Sequence, residues 1–293
     1  MMNAYTLEAV EKHRDHLRVG PLNVEFPNGC VTAIVGVNGS GKSTMLSMMI
    51  GLAHPDQGNI YFGQQIVDAD HDYEWKQRIG YLPEQPNSED DYKTPDQLAT
   101  VYAYWYKNWD WQIYQTLMAK YEIPPRTRLN KMSKGMRRKC ELIMILSYRP
   151  DVLLLDEPSS GLDPVSWRYV MEDLQKFMDD GERTIIIATH IIDEVRRLAD
   201  YIMFLHRGQL VQFVEKDELF DAWKEYWFNI SEAVQLKGAP GIKDTIQDGV
   251  GVRIIVNDIP QFEVYLQEHD IQPVRVQTVP LDEIMVQSIK GVK

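Results

Sequence analysis

Gly36-Val37-Asn38-Gly39-Ser40-Gly41-Lys42-Ser43 fits the pattern G-x-x-x-x-G-K-[ST], and Thr44 follows it. Residues of these types at this spacing can grip phosphate groups. Glycines let backbone N–H groups wrap phosphate oxygens, the helix that follows adds the positive end of its dipole, and lysine supplies a point charge between the β- and γ-phosphates. Gly36, Asn38, Gly39, Ser40, Gly41, Lys42, Ser43 and Thr44 are therefore candidate phosphate-binding residues, with the Ser43 hydroxyl a candidate Mg²⁺ ligand. The plain alternative is a glycine turn before an ordinary helix.

A second constellation, Val152-Leu153-Leu154-Leu155-Asp156-Glu157, is an apolar run ending in two carboxylates. In open α/β sheets ligands bind outside the carboxyl ends of the strands. There Asp156 would hold Mg²⁺ through water, and Glu157 would polarise an attacking water. Many strands end in polar residues, so the run gains its weight from the phosphate loop.

These groups need a scaffold, and the hydrophobic pattern supplies one. Tyr5 to Ile34 reads as strands and hairpins, Cys30 to Val35 as a short buried strand, and Lys42 to Leu52 as a helix. Thr94 to Tyr121 looks helical and is rich in aromatics, and Pro124-Pro125 closes it. Helices at about Met136 to Ser147 and Val165 to Met178 flank the strand Val152 to Leu155, and the strand Thr184 to Thr189 follows. Such alternation predicts an α/β fold with a parallel sheet. Tyr201 to Leu205 and Gln209 to Val214 read as its last strands, and Asp217 to Trp223 as a helix. The remainder has strand candidates at Tyr226 to Ile230, Val252 to Val256 and Val274 to Val279. Helices are expected near Pro260 to Glu268 and Leu281 to Ile289. Two domains are expected, 1–215 and a small α+β appendage at 216–293, with a helical subdomain at about 87–150.

Composition narrows the function classes. Lysine and arginine number 31 against 43 acidic residues, a net charge of −12, which argues against binding nucleic-acid phosphates. The longest apolar stretches, Met45 to His54 and Thr184 to Ile192, are far shorter than the roughly 20 residues that span a bilayer. Met1 to Leu17 is polar and lacks an apolar signal region, so export of the chain is not expected. Cys30 and Cys140 lack metal or redox spacing and are expected to be reduced.

Over about residues 5–214 the chain resembles the nucleotide-binding subunits of ABC transporters. Lys131-Met132-Ser133-Lys134-Gly135-Met136 stands where that family has its LSGGQ signature. Ser133 and Gly135 are kept, Lys134 replaces the first glycine, and Met136 replaces glutamine. The resemblance implies that Ser133 and Gly135 grip a γ-phosphate; read alone, Ser133 is a helix N-cap. Ser160-Gly161-Leu162-Asp163 is similar to the family's D-loop, which lies across a dimer interface; read alone it is a turn bracketed by Pro158 and Pro164. His190 occupies the position of the switch histidine, which touches the γ-phosphate. In Gly80-Tyr81-Leu82-Pro83-Glu84-Gln85-Pro86 the family's Q-loop glutamine aligns on Glu84, so Glu84 or Gln85 approaches Mg²⁺. For adenine stacking, Lys12-His13-Arg14-Asp15-His16 offers no tyrosine or phenylalanine, which leaves Arg14 or a histidine.

The resemblance implies a P-loop NTPase fold with a parallel core sheet, an antiparallel β subdomain and a helical subdomain. It assigns Glu157, His190 and Lys42 to catalysis, with ATP and Mg²⁺ as cofactors, and Asp163 to nucleotide binding at the shared interface. It also implies a second ATPase subunit, identical or a paralogue, because loop and signature serve different ATP molecules. Integral-membrane permease subunits are the further partners, on the cytoplasmic face of the membrane. Pro280-Leu281-Asp282-Glu283-Ile284-Met285 is similar to the ends of exporter ATPase subunits. Two aromatic stripes, Val101/Tyr104/Trp105/Asn108 and Tyr102/Tyr106/Trp109, divide between partner contact and simple packing. The competing readings are a soluble mechanochemical ATPase and a phosphate-loop kinase; the kinase leaves the signature, the D-loop and His190 unexplained.

Overall fold

Three strands without a single exposed residue set the centre of the first unit: β3 (Val31–Val35), β7 (Val152–Asp156) and β8 (Thr184–Thr189). Continuous apolar strands of this kind must be covered on both faces, which is the condition of a parallel sheet. In the computed structural model, which describes residues 3–14, 16–67, 73–249 and 251–290, β3 runs parallel to β8 and to β9 (Tyr201–His206). Strand β7 runs parallel to β8 and to β6 (Ile79–Leu82). With β10 (Gln209–Glu215) the order is β10-β9-β3-β8-β7-β6. Asp15, in the segment proposed to stack on adenine, lies outside the described residues.

Register places the chemistry at one edge. Val35 pairs with Thr189, Asp156 with Ala188, and Leu82 with Leu155. The phosphate loop, the paired carboxylates, the segment before His190 and the segment carrying Glu84 therefore all leave the sheet at its carboxyl end. The helices α1 (Lys42–Met49), α4 (Lys134–Ser147), α5 (Pro164–Met178) and α6 (Ile192–Leu198) lie in the connections. A separate antiparallel sheet, β2-β1-β4-β5, is built from β1 (Asn3–Arg14), β2 (Leu17–Pro27), β4 (Gln57–Phe62) and β5 (Gln65–Ile66).

The aromatic stretch expected to be helical from Thr94 to Tyr121 is two helices, α2 (Pro95–Trp105) and α3 (Trp111–Lys120). Thr94 and Gln97 close a capping box that starts α2. The break has a local cause. Asp110 is extended, and its carboxylate accepts from the N–H groups of Gln112 and Ile113, so α3 begins there afresh. The two stripes part company: Tyr102, Tyr106 and Trp109 are partly buried, whereas Tyr104 and Trp105 are 82% and 66% exposed and Val101 is exposed as well. Tyr106 stacks at 3.7 Å on the buried ring of Tyr148, and Tyr102 packs against both.

The chain divides into two compact units, one ending at Leu210 and one beginning at Val211. After α7 (Lys216–Ala222), the second unit forms a four-stranded antiparallel sheet in the order β12-β13-β11-β14. Its strands are β11 (Lys224–Phe228), β12 (Ile242–Asp248), β13 (Gly251–Val256) and β14 (Arg275–Thr278). Strand β11 stops at Phe228, short of the expected Ile230, because Glu232 accepts from the backbone and side chain of Asn229 and opens α8 (Ile230–Ala233). Phe262 of α9 (Ile259–Glu268) packs into the core with Tyr226, Phe228 and Ile254, and α10 (Leu281–Lys290) buries Leu281 and Ile284.

Replacing the cap that separates α2 from α3 tests this reading of the helical segment. Asp110→Ala should destabilise the chain by about 1 kcal/mol in urea unfolding, and Asp110→Asn by much less, since asparagine caps nearly as well. Equal losses for both would assign the effect to charge instead.

Candidate functional site

The first turn of α1 has N–H groups without intrahelical acceptors, and the loop before it turns them toward a cavity of about 570 Å³. Asn38, Gly39, Ser40, Gly41, Lys42, Ser43 and Thr44 line that cavity, together with Glu84, Glu157 and His190. Gly41 adopts φ +106, and a side chain there would meet Val19 at 2.9 Å, so the turn into the helix requires glycine. Ser40 anchors the loop through its carbonyl, which accepts from the Gly208 N–H at 2.8 Å. Its own hydroxyl is buried without a hydrogen-bond partner. Gly36 does not line the cavity; its carbonyl accepts from Lys42 Nζ at 2.8 Å.

Lys42 is buried, and its ammonium lies 3.6 Å from Glu157 Oε1. The other Glu157 oxygen lies 2.8 Å from His190 Nδ1. Glu157 thus bridges the loop lysine and the histidine after β8. It does so from a left-handed backbone conformation, φ +46, which is costly for a residue with a side chain and must be held by its surroundings.

Asp156 is 1% exposed. Burial raises its carboxyl above the ordinary range, a hydrogen bond from Ser43 lowers it, the charges of Glu84 and Glu157 raise it further, and Lys42 opposes them. One of its oxygens, Oδ1, is buried without a hydrogen-bond partner. An orphaned acceptor, a serine hydroxyl and nearby carboxylates form a hard-oxygen donor set, which fits Mg²⁺. Among the described residues no cluster of three or more His, Cys, Asp or Glu side chains could hold an ion alone. The donors fit an ion that shares its coordination with phosphate oxygens and water.

The remaining sequence candidates fall elsewhere. Gln85 does not line the cavity, whereas Glu84 does. Arg14 is exposed at the end of β1 and does not line it either; the wall nearby is Leu17. Lys12 and His13 are engaged with Asp56, whose carboxyl these bonds pull down to about 2. Ser133 accepts from the Met136 N–H and caps α4. Asp163 accepts from the N–H groups of Val165 and Ser166 and caps α5, and these bonds with the Ser166 hydroxyl lower its pKa. Within one chain, Ser133, Gly135 and Asp163 stand outside the cavity.

Three features were not read from the sequence. Ser159, Ser160 and Gly161 line the cavity in the same chain as the phosphate loop. Glu194 on α6 is buried beside the hydroxyls of Ser159 and Thr189, and burial raises its carboxyl. Arg138 is 3% exposed and donates to the carbonyls of Pro83, Asp156, Glu157 and Pro158. It clamps the backbone of the paired carboxylates and of the residue after them, and ties it to the segment carrying Pro83. Its signal was an arginine in register with Leu142 and Ile145 on the apolar face of α4.

A family model described as ABC transporter matches residues 19–160. A Nod factor export ATP-binding protein I from Burkholderia orbicola is 32% identical over 207 residues, 69% of this chain and 67% of that one. The ABC transporter ATP-binding protein YtrB of Bacillus subtilis is 30% identical over 212 residues, 72% and 70% of the two chains. Among solved structures, an ATP-binding subunit of an ABC transporter matches with a TM-score of 0.66 at 21% identity, covering 90% of this chain and 99% of that one. A dimeric bacterial ABC transporter cassette matches with a TM-score of 0.62 at 20% identity, over 72% and 98%.

Removing the clamp tests how the carboxylates are held. Arg138→Met should cost about 2–4 kcal/mol in chemical unfolding, because several buried carbonyls lose a charged donor at once. Arg138→Lys should recover little of it, since one ammonium cannot reproduce the planar fork.

Proposed function

The chain belongs to the ATP-binding proteins of ABC transporters, a family of ATP-hydrolysing cassettes, and from that premise we propose that it is the motor of an exporter whose permease subunits are separate chains. The observation that carries this is the convergence of Lys42, Glu157 and His190 on one cavity whose floor is the phosphate loop. ATP is the substrate. The loop N–H groups and Lys42 hold its phosphates, and Lys42 exchanges the carbonyls of Gly36 and Val37 for phosphate oxygens. Ser43 and Asp156, with Glu84, would hold Mg²⁺, which would neutralise charge on the phosphates.

Glu157 accepts hydrogen bonding from the attacking water and orients it. His190, half exposed and in contact with Glu157, orients that carboxylate and reaches toward the γ-phosphate. Ser133 and Gly135 do not line their own chain's cavity, which suits a γ-phosphate held by a second ATPase subunit. ATP then joins two subunits, and hydrolysis separates them.

The exposed stripe of Val101, Tyr104 and Trp105 suits contact with a membrane-embedded partner at the cytoplasmic face. No helix among the described residues is long and apolar enough to cross a membrane, so the proposed pathway is supplied by that partner. Export is supported by the Nod factor export relatives, whose cargo is theirs.

Two measurements test this. Lys42→Ala should weaken nucleotide binding by at least about tenfold through loss of a charge-assisted contact. Glu157→Gln should bind ATP like the parent while turnover falls by about a hundredfold or more; parental turnover would remove Glu157 from its role. The tagged chain, taken from membranes in mild detergent, should co-purify stoichiometrically with a polytopic protein. Soluble partners alone would favour a mechanochemical ATPase without a permease.

A further inference from the structure

The signature position that is glycine in the resembled LSGGQ motif is here Lys134, and its side chain is in use. Lys134 Nζ donates to the Ser160 hydroxyl at 3.0 Å. Its aliphatic stem covers Gly161: a Cβ on that glycine, at φ +83, would stand 2.7 Å from both Lys134 Cγ and Cδ. The backbones are equally close, since a Cβ on Gly135 would stand 2.7 Å from the Gly161 carbonyl oxygen. Signature and D-loop of one chain are therefore packed against each other by a residue that glycine could not replace.

We propose that Lys134 is a positioning residue for hydrolysis, acting on Glu157 through the Ser160–Gly161 turn of its own chain. This rests on the reading of Glu157 as the group that orients the attacking water. The turn is short and tied to Glu157 directly: the Ser160 N–H donates to the Glu157 carbonyl at 3.0 Å, and the Leu162 N–H to the Ser159 carbonyl at 2.9 Å. Glu157 keeps its left-handed backbone only while its neighbours hold it. Arg138 supplies donors to the carbonyls of Glu157 and Pro158, and Lys134 fixes the Ser160 side of the same turn. Because Ser159, Ser160 and Gly161 also wall the phosphate cavity, displacing the turn moves the wall and the carboxylate together. Lys134 is exposed and its bond to Ser160 contributes little to global stability, so its effect is on the placement of reacting groups.

The test is a double-mutant cycle on the full-length chain, read as steady-state ATP hydrolysis. Lys134→Gln should lower kcat by about tenfold with KM for ATP and melting temperature unchanged, Ser160→Ala should lower kcat by a similar factor, and the double variant should be no slower than the worse single one. Lys134→Arg, which keeps the cation and the stem, should recover most of the rate. Multiplying losses, parental kcat in either single variant, or a raised KM at constant kcat in Lys134→Gln would each overturn the proposal. If Lys134→Gln fails to fold, Ser160→Ala still decides, since parental kcat in that variant is equally fatal. A parent chain that hydrolyses no ATP would instead bring down the functional reading, while a hydrolysing parent with independent variants brings down only the link.

Discussion

Negative charge concentrated at the carboxyl end of a buried sheet is the constraint around which the first unit is arranged. Asp156, Glu157 and Glu84 are gathered beside two cations, Lys42 and the Arg138 guanidinium, and Asp156 carries a buried oxygen with no donor. Such a group is costly alone and favourable once a cation and phosphates arrive. The parallel sheet makes the arrangement possible by ending three segments at one register, so that loop, carboxylates and histidine need travel only a residue or two to meet. A bound metal would meet the orphaned Asp156 oxygen, and the phosphates would meet the loop N–H groups and Lys42.

The backbone that carries these groups is held from α4. Arg138 binds four carbonyls around the carboxylate pair, and Lys134 reaches the turn that follows. The helical segment is in turn tied to α4 by Arg137, which bonds Asp91 and the Asn87 carbonyl, and to α5 by Lys120 and Tyr121, which share Asp173. Side chains of α4 thus hold the Glu157 backbone and the turn after it directly.

Much of this was legible in the sequence where the signal is local. The phosphate loop and the strand ending in Asp156 and Glu157 are contiguous motifs, His190 was singled out only by the family resemblance, and β3, β7 and β8 are apolar runs that only a doubly covered strand tolerates. The break between α2 and α3 was not legible, because no glycine or proline interrupts the aromatics and a single aspartate makes the cap. Strand β12 was missed because Ile242–Asp248 is mostly polar and lies at the edge of its sheet. Arg138 and Lys134 escaped for a different reason. The apolar-face position of Arg138 marks it as buried without naming its partners, which are backbone carbonyls distant in sequence, and nothing in the residue types pairs Lys134 with Ser160.

The central claim is that one chain holds half of each catalytic site and that ATP joins the halves. Sedimentation velocity on Glu157→Gln measures it most directly. With ATP and Mg²⁺ the variant should sediment at twice the 34.0 kDa mass of one chain, and with ADP as a single chain. A variant that binds ATP yet remains a single chain at all concentrations would contradict the account.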